Sequence, residues 1–287
     1  MNSNKPTHVA DRFLTQENFE LVWEENYHWA QTILPPNIHL NDYYKSEAYI
    51  SHQNKSGSLF AWLYSAIQHK MFTYKWKRIS LFLQGQSRVL DYGCGTADFL
   101  NHVQQHGHEV WGIEPNEVAR NNAALQNNIF SSLGKLPDRL SFDCISLWHV
   151  LEHVDDPAQL LQQLKNRMAK NAILVVALPN HDSWDAQHYK EYWAAWDVPR
   201  HLWHFSKKGF MEWAKSQGWI CSASYPLWFD ALYVSLLSEK YQKNTLPWFG
   251  ALLKGLYSNF RALKRQNYSS HFFILRPAPA DEVSASA

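Results

Sequence analysis

The stretch Arg88–Leu100, RVLDYGCGTADFL, constrains the fold of this chain more than any other part of it. A short apolar run ends in Asp91, which is typical of a buried strand that stops at an acidic residue. Gly93 and Gly95 then allow a tight turn whose amides stay open to a ligand, because glycine has no Cβ. We expect Thr96 to cap the following helix. The pattern predicts a ligand pocket at the carboxyl edge of a parallel sheet.

The spacing of the glycines separates two classes of cofactor. Dinucleotide-binding turns carry a third glycine in the pattern G-x-G-x-x-G, and Asp98 stands at that position here. The run from Asp91 to Gly95 instead resembles the first motif of class I S-adenosylmethionine-dependent methyltransferases. The resemblance implies that Asp91 faces the methionine end of the cofactor, and that the cofactor lies against the backbone of the glycine turn.

A second acidic residue follows at the end of the next predicted strand. Glu114 lies about one βα unit beyond the glycine turn, close to the ~20-residue offset of acids that bind ribose hydroxyls. A free surface glutamate is the alternative interpretation. The methyltransferase family often places another acid over adenine near Leu133, but none stands there, so we expect adenine to be recognised by backbone or by other residues.

The sequence after the strand Phe142–Leu147 contains H-x-x-E-H, formed by His149, Glu152 and His153. This is the inverted zinc-peptidase motif, so a zinc hydrolase is a competing hypothesis. The motif directly follows a strand and is cut short by Asp155-Asp156-Pro157, which allows only a brief turn. We therefore predict that no metal is bound and that the zinc hydrolase is the less favoured function.

Longer stretches extend the resemblance to nearly the whole chain from Tyr43. FDCISLWHVLEHVDDP and ILVVALPN resemble the broad family that includes ubiquinone-pathway O-methyltransferases, and YYKSEAYISH and WAAWDVPRHLWHFS resemble a bacterial subgroup of unassigned substrate. The resemblance implies a Rossmann-like α/β fold. We predict a seven-stranded, mostly parallel sheet with helices on both faces, an antiparallel last strand at its edge, and an N-terminal helical cap.

We divide the chain accordingly. Residues 1–84 form the cap and a lead-in helix, residues 85–276 form the methyltransferase domain with a helical insertion at about 229–265, and residues 277–287 are a tail disordered by composition. The cofactor is S-adenosyl-L-methionine, and its predicted binding residues are Asp91, Gly93, Cys94, Gly95, Glu114, Pro115, Leu133 and Trp148.

The acceptor site is predicted between the segment Tyr43–His52 and the long Trp- and His-rich loop that follows Asn180, because loops at the carboxyl end of strands carry substrate pockets. His149 and His201 are the candidate catalytic residues, since a neutral histidine accepts a proton near pH 7. The candidate substrate-binding residues are Tyr44, His52, Asp197, Arg200 and His204. Salt-bridged anchoring of the loop is the alternative role for the charged residues among them.

Composition narrows the function further. A formal net charge of +1 gives no overall argument for nucleic acid or an anionic membrane as partner. Three widely spaced cysteines and a polar N-terminal segment without an apolar leader favour a cytoplasmic protein with reduced thiols. We therefore expect methyl transfer to the oxygen or carbon of a small molecule, without stable membrane association. A protein that binds the cofactor but lacks catalysis remains an alternative.

Overall fold

The computed structural model describes residues 5–26, 28–44, 59–123 and 125–279. The strands are β1 (His8–Ala10), β2 (Asn18–Trp23), β3 (Trp29–Ile33), β4 (Arg88–Tyr92), β5 (Glu109–Ile113), β6 (Ile129–Phe130), β7 (Phe142–Trp148), β8 (Met168–Pro179), β9 (Trp203–Phe205), β10 (Trp219–Pro226) and β11 (Ser270–Pro277). The helices are α1 (Leu40–Tyr44), α2 (Leu59–Ile79), α3 (Asp98–Gln105), α4 (Glu117–Asn122), α5 (Pro157–Lys165), α6 (Trp184–Tyr189), α7 (Lys207–Ser216), α8 (Trp228–Tyr241) and α9 (Pro247–Arg265).

The central sheet has seven strands in the order β10-β11-β8-β7-β4-β5-β6. Strands β4 to β8 pair in parallel, whereas β11 runs antiparallel to both of its neighbours. The predicted seven-stranded, mostly parallel sheet is confirmed. The predicted edge position of the last strand is wrong, because β11 lies between β8 and β10 and is buried along most of its length.

Helices cover both faces of this sheet, as predicted. Alternate residues of one strand enter two different apolar clusters: Leu174 and Val176 of β8 pack on the side of α5 and α7, while Ile173 and Val175 pack on the side of α2 and α3. A strand that is buried on both faces reads as a continuous apolar run, and this is what AILVVAL shows. The central sheet therefore forms the middle layer of three.

The N-terminal region forms a small sheet, so the predicted helical cap is wrong. Strands β1, β2 and β3 form an antiparallel meander, and β9 joins it from the later part of the chain. In β2 the buried residues alternate with exposed ones: Phe19 and Leu21 face the core, while Glu20 and Val22 face outward. This period-two pattern is the signature of a half-buried strand.

The starts of α7 and α3 are capped differently. Ser206 accepts a hydrogen bond from the amide of Gly209 at 2.9 Å and so caps α7. The predicted cap of Thr96 on α3 is wrong. Ala97 holds the cap position in the left-handed region at φ +63°, and the Thr96 hydroxyl donates to the Asp98 carboxylate instead.

The two predicted helices of the insertion are present as α8 and α9. The predicted domain boundaries remain a prediction, although β9 pairs with β3 and so joins residues from both sides of the boundary at 84/85. Residues 280–287 of the predicted tail lie outside the described residues. Among the described helices, none is both long enough and apolar enough to cross a membrane.

A buried ion pair ties the small sheet to the Trp-rich loop. The Arg200 guanidinium donates to Asp11 at 3.0 Å and to Asp197 at 2.6 Å, and the Asp11 side chain is fully buried. Asp11 also accepts the amides of three following residues, which shapes the turn after β1. The two carboxylates raise the pKa of Arg200 above its usual value despite its burial, so the guanidinium stays charged.

Arg200→Ala should therefore lower the free energy of unfolding by about 3–5 kcal/mol, because it leaves Asp11 buried without its cation. Denaturant titration of the purified variant measures this loss. Arg265→Ala serves as the control, since Arg265 is exposed at the end of α9 and its removal should change stability by less than about 0.5 kcal/mol. Equal stability of the two variants would contradict the anchoring role of Arg200.

Candidate functional site

The turn after β4 is shaped by contacts on one side and open on the other. The amides of Gly93 and Cys94 both donate to the carbonyl of Ile113, at 2.7 and 3.0 Å. Gly93 and Gly95 have φ of +77° and +53°, which favours glycine. A Cβ on Gly93 would lie 2.5 Å from Val150 Cγ2, whereas a Cβ on Gly95 would meet nothing within 4 Å. The Gly95 side of the turn can therefore receive a ligand against the backbone.

Glu114 is tied directly to this turn. Its Oε2 accepts a hydrogen bond from the amide of Gly95 at 2.9 Å, and its Oε1 accepts one from the amide of Asn116 at 2.7 Å. A carboxylate has about four lone-pair sites, so each oxygen keeps capacity for another donor. The structure thus places Glu114 beside the open part of the turn, where the ribose-binding acid was predicted.

Asp91 ends β4 as a buried carboxyl group. Its Oδ1 accepts a hydrogen bond from the Ser146 hydroxyl at 2.6 Å, and the positive charge of Lys75 stabilises its ionised form. Burial raises the pKa of Asp91 to about 7, although the Ser146 hydrogen bond and the Lys75 charge both oppose the rise. This carboxyl group is therefore near its point of half-ionisation at neutral pH.

Lys75 is a site residue that the sequence analysis missed. Its ammonium lies 3.8 Å from the centroid of the Trp148 ring, and burial lowers its pKa to about 8. Its position contained a signal, since it is four residues after Met71 and four before Ile79, both of which are buried. Residues at this spacing share one face of a helix.

The remaining predicted cofactor residues surround the same edge of the sheet. Trp148 packs edge-on against Phe99 and Phe272, and its indole nitrogen is buried without a hydrogen-bond partner. Cys94 packs next to Gly112, and burial raises the pKa of its thiol, so it is not a nucleophile at neutral pH. Pro115 is exposed and Leu133 half-buried, and their predicted cofactor contacts remain predictions.

His149 lies between two carboxylates. Its Nδ1 is 3.2 Å from Glu152 Oε1, and its Nε2 is 3.0 Å from Asp230 Oδ2. Burial alone would lower the pKa of His149, but the two carboxylates raise it to about 10. An imidazolium with both N–H groups donated has no lone pair for a proton. This geometry does not suit the predicted general base, and it suits a residue that orients Glu152.

A second cluster of polar side chains at this edge consists of Glu152, His153 and His201. They offer one ligand atom each, and these atoms lie within 4.8 Å of one another; no other such group of three was found among the described residues. The residues Leu151–His153 form a single 3₁₀ turn, so H-x-x-E-H does not lie within a long helix as in a zinc peptidase. His201 is mostly buried, and the rings of His153 and His201 are 4.6 Å apart.

Most of the predicted substrate residues have structural partners. His204 is buried with its Nε2 2.8 Å from the Thr32 hydroxyl, and Arg200 and Asp197 form the ion pair described above. Tyr44 is placed differently, since its hydroxyl lies 3.1 Å from Nδ1 of His153 and so reaches the second cluster. His52 lies outside the described residues.

A family model described as a methyltransferase domain matches residues 67–221, more than half of the chain. The chain belongs to the methyltransferase-domain family. A curated relative, the tRNA U34 carboxymethyltransferase of Idiomarina loihiensis, is 34% identical over 122 residues, and the match spans 36% of this chain and 36% of the relative. The chain thus aligns with only about a third of that relative's length.

Two solved structures are similar to the chain at low sequence identity. Coclaurine N-methyltransferase, bound to N-methylheliamine and SAH, is 14% identical and has a TM-score of 0.49, with 78% of this chain and 74% of that chain covered. A putative sarcosine dimethylglycine methyltransferase from Galdieria sulphuraria is 15% identical with a TM-score of 0.49, covering 75% and 86%.

The family match confirms the class I methyltransferase predicted from the glycine motif. The site of this methyltransferase also fits S-adenosylmethionine in chemical terms. The open side of Gly95 leaves room for a ligand on the backbone, Glu114 offers acceptor capacity for hydroxyls, and Asp91 with Lys75 offers opposite charges for an amino-acid group.

If Asp91 contacts the cofactor's ammonium group, cofactor affinity should depend on pH. The ammonium stabilises the ionised carboxylate, so affinity should rise with pH and level off above the pKa of about 7 of the free protein. Titration of S-adenosylhomocysteine by calorimetry from about pH 5.5 to 8 measures this. Asp91→Asn should bind weakly with a flat profile. A flat profile in the unmodified methyltransferase would contradict the contact.

Proposed function

We propose that the protein transfers the methyl group of S-adenosylmethionine to an oxygen or carbon atom of a small-molecule acceptor. The observation that carries this proposal is the arrangement at the carboxyl edge of β4 and β5. There an open glycine turn, the buried carboxyl of Asp91 and the carboxylate of Glu114 lie together in a chain of the methyltransferase-domain family.

In this proposal the cofactor is held at three places. Asp91 and Lys75 bind the ammonium and carboxylate groups of its methionine part, since Asp91 ends β4, Lys75 lies over Trp148 at the end of β7, and the two groups influence each other electrostatically. The glycine turn faces the middle of the cofactor, and Glu114 accepts hydrogen bonds from its ribose hydroxyls. Trp148 offers its unpartnered indole N–H at the same edge.

We place the acceptor next to Glu152, His153 and His201. The turn 149–153 adjoins the glycine turn, because Val150 packs against Gly93. The hydroxyl of Tyr44 and the ring of His201 approach His153 from two other segments of the chain. A site enclosed by three segments, with Glu152 and His201 almost fully buried, favours a small acceptor over a polymer.

The chemistry required of the protein is mainly positional. The acceptor atom must lie in line with the bond between sulfur and the methyl carbon, and holding two reactants in that geometry supplies much of the rate enhancement. A hydroxyl acceptor must also lose a proton. His149 is doubly hydrogen-bonded to carboxylates, so we assign it an orienting role toward Glu152 and place His201 on the acceptor side.

RNA is the competing acceptor, because the partial relative is named for its action on tRNA. Incubation of the protein with labelled S-adenosylmethionine and cell extract, followed by fractionation, distinguishes a small-molecule acceptor from RNA. We expect label in the low-molecular-weight fraction. Label in the RNA fraction that ribonuclease releases would contradict the small-molecule proposal, and absence of any transfer despite cofactor binding would favour the non-catalytic alternative.

Glu114→Ala should weaken binding of S-adenosylhomocysteine about ten- to a hundred-fold, because a hydrogen bond to a charged group contributes about 1.5–3 kcal/mol. Calorimetric titration measures the affinity, and far-ultraviolet circular dichroism checks the fold. Glu109→Ala is the matched control, since Glu109 is exposed at the start of the same strand. If both variants bind like the unmodified protein, the proposed cofactor site is wrong.

A further inference from the structure

Glu152, His153 and His201 have the composition of a metal site with two imidazoles and one carboxylate. Their ligand atoms lie within 4.8 Å of one another. Ligands on a shared divalent ion, each about 2.0–2.2 Å from it, lie roughly 3–3.5 Å apart, so small side-chain shifts would close the site. We propose that these three residues bind one divalent first-row transition-metal ion.

The hydrogen bonds of the two histidines prepare them as ligands. Nδ1 of His153 lies 2.9 Å from the carbonyl of Arg200, and Nδ1 of His201 lies 2.9 Å from the carbonyl of Ala195. A carbonyl only accepts, so each Nδ1 carries the proton and each Nε2 carries the lone pair. Metal-binding histidines usually donate their other ring nitrogen to a carbonyl or carboxylate in this way.

Glu152 supplies the independent observation. Its residue is 1% exposed, and its Oε2 has no hydrogen-bond partner, while its Oε1 faces His149 at 3.2 Å. A buried, unpartnered carboxylate oxygen is costly, and a cation is the partner it lacks. His149 then lies behind the ligand and orients it, and the backbone amide of Leu202 donates to the Glu152 carbonyl at 2.7 Å, which holds the two segments together.

This arrangement differs from the zinc-peptidase hypothesis raised by the sequence. There His149 and His153 would hold the metal and Glu152 would be the base. Here Glu152 is a ligand, His149 orients it, and His201 comes from a distant loop. The prediction that no metal is bound rested on the local motif alone. His201 lies 48 residues after His153, so the spacing of the motif could not identify it as a third ligand.

The role of the metal rests on the proposed function. Two imidazoles and one carboxylate leave coordination positions open, and an acceptor hydroxyl bound there loses its proton more readily. The proton leaves to water, and the acceptor oxygen attacks the methyl carbon. The O–C bond forms as the S–C bond breaks, the sulfonium becomes the neutral thioether of S-adenosylhomocysteine, and the metal keeps its oxidation state. This favours a hydroxylated acceptor.

Calorimetric titration of the chelator-treated protein with Mn²⁺, Co²⁺ and Zn²⁺ tests the site, together with the visible absorption of bound Co²⁺. We expect one ion per chain. Glu152→Gln, His153→Asn and His201→Asn should each weaken binding by more than about 100-fold, and His149→Asn by about 10- to 100-fold. His188→Asn is the control, since His188 is exposed on α6 and should leave binding unchanged.

S-Adenosylhomocysteine titration of each variant shows that it remains folded and keeps the two proposals separate. Cofactor binding without metal uptake overturns the metal site and leaves the proposed function standing. Metal uptake without cofactor binding supports the metal site and overturns the proposed function. Uptake that is unchanged in both His153→Asn and His201→Asn assigns the ion to another place and also overturns the site.

Helix α9 carries a separate observation, because it buries small residues and exposes large apolar ones. Ala251, Gly255, Ser258 and Ala262 are buried. A Cβ on Gly255 would lie 2.7 Å from Leu232 Cδ2 of α8, and the Ser258 hydroxyl donates to Asp185 of α6 at 2.7 Å. The outward face carries apolar side chains that are 50–66% exposed: Phe249, Leu252, Leu253, Leu256, Phe260 and Leu263. Packing within the described protein does not account for this face.

We infer that this face lies on an anionic membrane surface. Residues 247–265 contain four basic residues and no acidic one, so the charge of the helix complements anionic lipid headgroups. Among the described residues, Lys254 is the one of the four that pairs with a carboxylate, Glu239. Aromatic and leucine side chains beside basic ones are typical of helices that lie in the membrane interface. The overall charge of +1, which gave no argument for an anionic membrane as partner, conceals this local excess.

Co-sedimentation with vesicles of phosphatidylcholine, alone or with about 30% phosphatidylglycerol, tests this surface. We expect binding to the anionic vesicles that weakens with salt. The triple variant Phe249→Ser, Leu253→Ser and Phe260→Ser should bind at least about tenfold more weakly. Leu81→Ser with Val118→Ser is the control, since both side chains are exposed elsewhere. Absence of vesicle binding, or a dimer in sedimentation equilibrium that the triple variant dissociates, would overturn the inference.

Discussion

The parallel pairing of β4 with β7 brings the glycine turn and the turn 149–153 to the same edge of the sheet. Asp91 is opposite Ser146 in this pairing, so both strands end at nearly the same level. The glycine turn and the turn 149–153 therefore start from one edge and touch through Gly93 and Val150. A one-residue change of register would turn Asp91 to the other face of the sheet and separate it from Ser146.

A line of alternating charges runs along this edge and connects the two halves of the site. Lys75 interacts with Asp91 on one side and with Asp230 on the other, and Asp230 holds His149, which in turn holds Glu152. Each carboxylate in this line lies beside a cationic or hydrogen-bonding group. Since an unpaired buried charge is costly, the members support one another, and Glu152 Oε2 stands out as the oxygen without a partner.

Sequence reasoning reached the elements whose signals are local. The glycine turn, the buried strands and Glu114 were predicted because each depends on residues within one βα unit. It did not predict contacts between residues that are distant in the sequence and are brought together by the fold. Lys75 is separated from Asp91 by a helix end and a strand, and Asp230 reaches His149 from 81 residues away, so neither spacing could be read from the chain. The small N-terminal sheet was not predicted, although the alternation of apolar and polar residues in β2 is a local signal for a strand.

The small sheet is part of the site because Thr32 holds the loop that carries His201. The Thr32 hydroxyl donates to the carbonyl of His201 at 2.8 Å and faces Nε2 of His204, and its amide donates to the carbonyl of Leu202 at 2.9 Å. These bonds fix the backbone at His201 and at the residue that follows it. Without these bonds, the conformational freedom of the long loop would leave the position of the His201 side chain poorly defined. The N-terminal strands thus position a residue that we propose for the acceptor site, although they are far from it in sequence.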